Sequence, residues 1–120
     1  MIPKFRAWLM SEKKMVCVEG LEFVDGKLYN IRCKVDGLMH FYPARDVLMQ
    51  STGVLDDNGV EIFEDDIVIA EGKRGFVMWE NGGFQVTIYD GLGYHIDEYQ
   101  SLLKIGNTFE NPELLEEVSK

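Results

Sequence analysis

Six carboxylates lie within eleven residues in the middle of the chain, and side chains of this type could bind a metal ion or transfer protons. They are Asp56, Asp57, Glu61, Glu64, Asp65 and Asp66. An EF-hand calcium loop needs glycine at its sixth position, but counting from Asp56 the glycine arrives at the fourth. Aspartate is also favoured at turns for backbone reasons alone. We therefore predict no catalytic and no metal-binding residues, and a metal-dependent hydrolase that uses this acidic turn stays an alternative.

Other patterns typical of catalysis or cofactor binding are incomplete. Gly72-Lys73-Arg74-Gly75 lacks the spacing and the following helix of a phosphate-binding loop, so we expect a solvated hairpin tip. The chain has only two histidines, too few to favour a nucleophilic triad, and His40 is expected at the surface or against an aromatic ring. Cys17 and Cys33 lack metal-ligand spacing and are predicted to be buried thiols. The chain is thus predicted to be no enzyme and to bind no cofactor.

Aromatic side chains form the more informative group in the second half of the chain. They are Trp79, Tyr89, Tyr94 and Tyr99. Small barrels of the SH3 type often bind peptides through aromatic residues on their loops, and protein interfaces favour Trp and Tyr. Packing in the core or at its rim is the more common role of such residues. We name the four as a possible partner surface.

Composition limits the classes of function. The 120 residues suffice for one domain, or for one body with a smaller lobe, and a hydrophobic content of 46% excludes a disordered chain. The formal charge of -9 argues against direct nucleic-acid binding, which needs clustered cations. The carboxylates look scattered, so imitation of DNA is disfavoured. The chain has no signal-peptide pattern and no apolar membrane span, which predicts a soluble cytoplasmic protein without membrane partners.

Residues 1–47 are predicted to form an antiparallel β region made of hairpins. Lys4–Trp8 alternates polar and apolar residues, and Met15–Val18 is an apolar run that pairs with it. The turns are predicted at Ser11–Lys14, Asp25-Gly26 and Asp36-Gly37. A period of two then places one set of side chains on the core face. That set is Tyr29, Ile31, Cys33 and Val35. Leu38–Tyr42 is a short strand that Pro43 ends or confines to an edge.

Residues 48–120 are predicted to form a small SH3-like barrel with a short C-terminal helix. Arg45–Gln50 is interpreted as the strand leading in, and Asn58-Gly59 predicts a hairpin with a type I′ turn. A glycine-punctuated meander follows, and Leu102–Ile105 is expected to close the barrel, because closure removes exposed edges. Residues 90–101 are expected to be a loop, with room for a short strand. Asn111 suits a helix N-cap and Pro112 the first helical position, with Leu114 and Leu115 packing on the barrel.

Several short segments, spread over nearly the whole chain, together carry a family resemblance. They are Phe5–Trp8, Leu48–Gly53, Asn58–Glu64, Asp66–Val68, Ile105–Asn107 and Glu110–Leu115. This set resembles the YopX protein family, small proteins of bacteriophages and prophages. The resemblance implies a largely β protein with an SH3-like barrel and a phage or prophage origin. The resemblance implies no activity, because the role of the family is uncharacterised and the family has no catalytic motif that could be transferred to this chain. Family members commonly have Gly where this chain has Asp65, and Asp tolerates the positive φ that Gly would adopt there at some strain.

The leading hypothesis is a non-enzymatic phage or prophage accessory protein in the cytoplasm of the bacterial host. It would act by binding a protein partner or by self-assembly, and not through nucleic acid. A homo-oligomer is expected because the N-terminal hairpins leave edge strands to be covered. The alternatives are an acidic inhibitor of a host DNA-binding protein and the metal-dependent hydrolase.

Overall fold

The computed structural model describes residues 4–43, 47–88 and 93–114, which are mainly β-strands in two antiparallel sheets. The chain divides into two compact units, Met1–Gln50 and Ser51–Lys120. Each unit has its own cluster of buried apolar side chains. The predicted mainly β class is therefore confirmed.

The first unit is a sheet of sequential hairpins. Its strands are β1 (Phe5–Leu9), β2 (Lys14–Val24), β3 (Lys27–Val35), β4 (Leu38–Pro43) and the first residues of β5 (Val47–Leu55). Their order in the sheet is β4-β3-β2-β1-β5, with every pair antiparallel. Asp25-Gly26 and Asp36-Gly37 both take positive φ, as a two-residue type I′ hairpin loop requires. The predicted hairpins are confirmed, as is the strand predicted over Arg45–Gln50 from Val47 onward, whereas Arg45 and Asp46 lie outside the described residues.

The prediction that Tyr29 faces the core is wrong, whereas Ile31 and Cys33 are buried as expected. Tyr29 is 61% exposed. The pairing of β2 with β3 runs from Glu22 opposite Asn30 directly to Phe23 opposite Leu28, which leaves Tyr29 as an extra residue. This β-bulge interrupts the alternation of side chains, so the period of two holds only on one side of it.

The second unit contains the rest of β5, its partner β6 (Glu61–Phe63), and a five-stranded sheet. That sheet consists of β7 (Asp66–Ala70), β8 (Lys73–Glu80), β9 (Gly83–Ile88), β10 (Gly93–His95) and β11 (Leu102–Asn107). Its order is β10-β9-β8-β7-β11. The strand predicted to close a barrel does pair with the first strand of the meander. The described strands β10 and β11 are the two ends of the order, so the predicted closed barrel is wrong: closure would require a further ladder between the two end strands.

Two turns of the second unit differ in detail from the prediction. Asn58-Gly59 does reverse the chain, but only Gly59 has positive φ, so the turn is not type I′. The Asp56 carbonyl accepts from the Gly59 N–H at 2.9 Å and the Val60 carbonyl accepts from the Asp56 N–H at 2.8 Å, a loop of three residues. The hairpin tip predicted at Gly72–Gly75 is shorter and lies one residue earlier, because Glu71-Gly72 makes a two-residue turn and Lys73 already begins β8.

The C-terminal helix is not supported by the described residues, which contain one short 3₁₀ turn (Ile96–Glu98) and no longer helix. Asn111 does not cap a helix with its side chain: the Oδ1 atom accepts from the backbone N–H of Asn107 at 3.1 Å. Asn107 in turn accepts from the N–H groups of Phe109 and Glu110. The Asn111 carbonyl accepts from the Leu114 N–H at 3.0 Å, and only Glu113 and Leu114 are helical at this end of the described residues. Leu115, which was expected to pack on the barrel, lies outside the described residues.

Candidate functional site

The acidic stretch, residues 56–66, forms hydrogen bonds and an ion pair with β11, the last strand of the second unit. One carboxylate oxygen of Asp56 accepts from the N–H groups of Asn58 and Val60, both at 2.9 Å, and the other accepts from the N–H of Lys104 at 3.0 Å. The neighbouring Asp57 accepts from Leu102 N–H at 3.3 Å and donates its own N–H to the Leu102 carbonyl at 2.9 Å. A loop and a strand more than forty residues apart are thereby joined.

Asp56 is buried, and its pKa reflects two opposed effects. Burial raises the pKa of the carboxyl, because it disfavours the charged form. The three backbone N–H donors and the nearby charge of Lys104 favour the anion and outweigh burial, so that the pKa lies below its ordinary value. Such a carboxylate is held as an anion for structural reasons and is poorly suited to exchange protons near neutral pH.

Asp66 is the second buried acid of this stretch. It is fully buried, and its Oδ2 atom accepts from the Phe63 N–H at 2.7 Å and lies 3.2 Å from the Lys104 ammonium. Lys104 therefore contacts one acid of the stretch through its backbone and another through its side chain. Asp56 and Asp66 therefore have separate structural roles. The described residues contain no group of three or more His, Cys, Asp or Glu side chains that could hold a metal ion.

The remaining polar candidates do not converge on a site among the described residues. Cys33 is buried as predicted, but Cys17 is exposed, because it lies on the opposite face of the sheet from the core. His40 is exposed with its ring 6.2 Å from that of Tyr42, as predicted for a strand histidine. His95 lies on β10, where its Nδ1 atom accepts from the Asp97 N–H at 3.3 Å.

Three aromatic residues of the second unit, Trp79, Phe84 and Tyr94, lie on one face of β8, β9 and β10. Trp79 is the register partner of Phe84, and their rings meet edge to face at 4.8 Å. Tyr94 pairs with Val86, so it shares the face that carries the buried valine and Phe84. The ring of Tyr99, which follows the 3₁₀ turn, meets that of Tyr94 at 6.3 Å in a T-shaped arrangement. We call Trp79, Phe84, Tyr94 and Tyr99 the aromatic row.

The four residues proposed from the sequence have different surroundings. Trp79 is 54% exposed and Tyr94 is 49% exposed, so both are available to a partner. Tyr99 is half-buried against the core cluster, where burial raises the pKa of its phenol and its hydroxyl donates to the Val86 carbonyl at 3.4 Å. Tyr89 lies outside the described residues. Phe84, which was not among the residues named from the sequence, supports Trp79.

The negative charge is unevenly divided between the two units, a feature that the scattered appearance of the acids concealed. Met1–Gln50 contains eight Lys and Arg residues against six Asp and Glu, whereas Ser51–Lys120 contains four against fifteen. The first unit is thus close to neutral and the second strongly acidic. Dividing the charge count at the unit boundary would have revealed this.

The comparisons with known proteins agree with the resemblance noted in the sequence. The family model described as YopX protein matches residues 4–116. The chain belongs to the YopX protein family. This YopX-family chain is also similar to protein EF1440 from Enterococcus faecalis, known from a crystal structure. The two are 30% identical with a TM-score of 0.70, over 96% of this chain and 99% of EF1440.

Two negative findings accompany these matches. No curated protein matches the YopX-family chain. Among its described residues, no helix has both the length and the apolar character needed to cross a membrane.

Proposed function

We propose that this YopX-family protein is a non-enzymatic phage or prophage accessory protein of the bacterial cytoplasm, and that the aromatic row binds a protein partner. The observation that carries the proposal is the exposure of Trp79 and Tyr94 on one sheet face, beside rings that hold them in place. Rigid, half-exposed Trp and Tyr side chains are the residues that dominate binding energy at protein interfaces.

The surroundings of the aromatic row indicate the chemistry of the partner. Glu80 follows Trp79 directly, and Asp97 and Glu98 lie in the 3₁₀ turn between Tyr94 and Tyr99; all three acids are exposed. A segment with apolar side chains flanked by Lys or Arg would complement this surface, with the charges mainly speeding association. The partner in this proposal is therefore a basic and apolar protein segment.

The test compares capture from host lysate by the tagged full-length protein, its Trp79→Ala/Tyr94→Ala double variant and a Leu103→Ala control. Leu103 is also exposed, but it lies on β11, away from the aromatic row in the sheet order. We expect at least one protein whose recovery falls about tenfold or more in the double variant and is unchanged in the control. Equal recovery by all three folded proteins would disprove the role of the aromatic row.

A second candidate, an acidic inhibitor of a host DNA-binding protein, is favoured by the concentration of fifteen acids in Ser51–Lys120. Two of these acids, Asp56 and Asp66, are buried and are not available as a surface. The captured protein distinguishes the two candidates. An inhibitor would capture a DNA-binding protein and release it when duplex DNA is added as a competitor. The amount captured would fall steeply as the salt concentration rises.

A further inference from the structure

The outer edge of β4 is the least protected strand edge in the described part of the chain. We infer that two copies of the protein pair antiparallel along this edge, which gives the self-assembly expected from the sequence a surface and a register. β4 ends the order of its sheet and is six residues long with no Asp, Glu, Lys or Arg among them. Three of its apolar side chains are exposed: Leu38 by 66%, Met39 by 43% and Phe41 by 59%.

The other end strands of the described sheets are short or covered. β6 and β10 contain three residues each. β11 has a β-bulge, and its outer edge is bonded by the acidic loop through Leu102 and Lys104. Natural sheets protect their edges by such devices, and an exposed apolar edge without them is a template for another strand. The only such protective feature within β4 is Pro43, the last residue of the strand.

Hairpin geometry identifies the backbone groups at the open edge. Val35 and Leu38 flank the two-residue turn and face each other, so they form a hydrogen-bonded pair. Bonded and non-bonded positions alternate along antiparallel strands, so Leu38 and His40 bond to β3 and Met39 and Phe41 point their N–H and C=O outward. Two residues on each copy therefore present a complete donor and acceptor set.

Pro43 selects one register for this pairing. If Met39 lies opposite Phe41 of the second copy, four backbone hydrogen bonds form and the outward groups of both residues are satisfied. If Phe41 lies opposite its own equivalent, Met39 lies opposite Pro43, which has no N–H, and the Met39 carbonyl is left without a donor. The first register places His40 opposite its own equivalent, on the two-fold axis.

Side chains also match in the selected register. On one face, Met39 lies against Phe41 of the second copy, a favourable contact of sulfur with an aromatic ring. On the other face, Leu38 lies against Tyr42 of the second copy and extends the apolar face that continues through Ile31. The three exposed apolar residues of β4 thus each gain an apolar neighbour.

Charge does not oppose the association. β3 and β4 contain no Asp or Glu, and Arg32 and Lys34 are the nearest cations, one strand behind the edge. In the pair these cations lie three strand spacings apart, about 14 Å, which exceeds the Debye length of about 8 Å at physiological salt. One six-residue strand from each copy is a small interface, so we expect a dissociation constant on the order of 10–100 µM.

The register is tested by disulfide trapping in a full-length Cys17→Ser/Cys33→Ala background, because Cys33 lies directly opposite position 40 on β3 and would compete for a cysteine placed there. Residues at position 40 would form a non-bonded pair with Cα atoms about 4.5 Å apart, within the range of about 4.4–6.8 Å that a disulfide spans. Equivalent residues at position 41 would be diagonal neighbours about 7–8 Å apart. We expect His40→Cys to give at least tenfold more covalent dimer than Phe41→Cys on oxidation. More dimer from Phe41→Cys, or equal amounts, would overturn the inference.

Association without cross-linking is measured by light scattering from about 1 µM to about 1 mM protein. Phe41→Lys should abolish the dimer, whereas Phe23→Lys is a matched control, since both phenylalanines are 59% exposed. A monomer throughout this range, or equal effects of the two variants, would overturn the inference. Either result leaves binding by the aromatic row intact, because that test uses different residues and a different readout.

Discussion

Replacement of Asp56 by Ala should unfold the second unit at a markedly lower urea concentration. The carboxylate accepts three backbone hydrogen bonds, from Asn58, Val60 and Lys104. A hydrogen bond to a charged group contributes about 1.5–3 kcal/mol, and removing the acceptor leaves donors that are poorly placed to reach water. Because the three bonds share one carboxylate and are not additive, we expect a loss of about 3–4 kcal/mol in the free energy of unfolding.

The stability difference between wild type and Asp56→Ala should depend on pH, and the pKa of Asp56 gives the direction. Because the folded-state pKa of Asp56 is below its ordinary value of 3.8, the anion stabilises the fold at pH values above the unfolded pKa. That contribution is lost as the pH falls through the folded pKa. The difference in unfolding free energy between wild type and Asp56→Ala should therefore be full at pH 7 and shrink below pH ~4.

Urea titrations at pH 7 and near pH 3, followed by Trp79 fluorescence in a Trp8→Phe background that removes the signal of the first unit, measure both effects. Asp56→Asn is the control, since its amide oxygen keeps the acceptor geometry but not the charge, and it should cost about half as much at pH 7. A loss below about 1 kcal/mol for Asp56→Ala at pH 7, or a loss that is unchanged at low pH, would refute the view that this carboxylate fastens β11 as an anion.

Three further substitutions probe other parts of the second unit. Gly75→Ala should destabilise it by about 1–3 kcal/mol in urea titration, because the added Cβ would lie 2.6 Å from the Thr87 carbonyl oxygen; an unchanged midpoint would contradict this. Asp65 has φ 67°, so Asp65→Gly should be more stable than Asp65→Ala by about 1 kcal/mol, and equal melting temperatures would count against backbone strain. Lys104→Met removes the ammonium 3.2 Å from the buried Asp66 carboxylate and should cost about 3 kcal/mol at pH 7; an unchanged free energy of unfolding would show that this ion pair is dispensable.

Local signals in the sequence located the chain reversals, and at two of them they also gave the correct turn type. Asp25-Gly26 and Asp36-Gly37 form the predicted hairpin loops, because positive φ is a property of the residues themselves. The positive φ expected at Asp65 from the family resemblance is also present. Asn58-Gly59 differs because the carboxylate of Asp56 bonds the loop backbone, an interaction that turn propensity does not include.

Predictions that depended on regular alternation or on distant partners were less successful. One extra residue in β3 turns Tyr29 outward, and the residue types in this stretch do not indicate such a bulge. The closed barrel failed because strand patterns do not specify whether the two end strands of a sheet meet. The aromatic row was found only in part, since the support of Trp79 by Phe84 depends on the pairing of β8 with β9.

The amino-acid sequence alone determined the β class, the positions of most turns and the family, because these depend on residue types and short spacings. Only the tertiary structure decided that Asp56, Asp57 and Asp66 bond to β11, that Trp79 and Tyr94 share a face, and that β4 has an open edge. Each of these depends on which strands become neighbours. Strand neighbours are selected by interactions between segments that are distant in sequence, and no short stretch of the chain contains both partners of such an interaction.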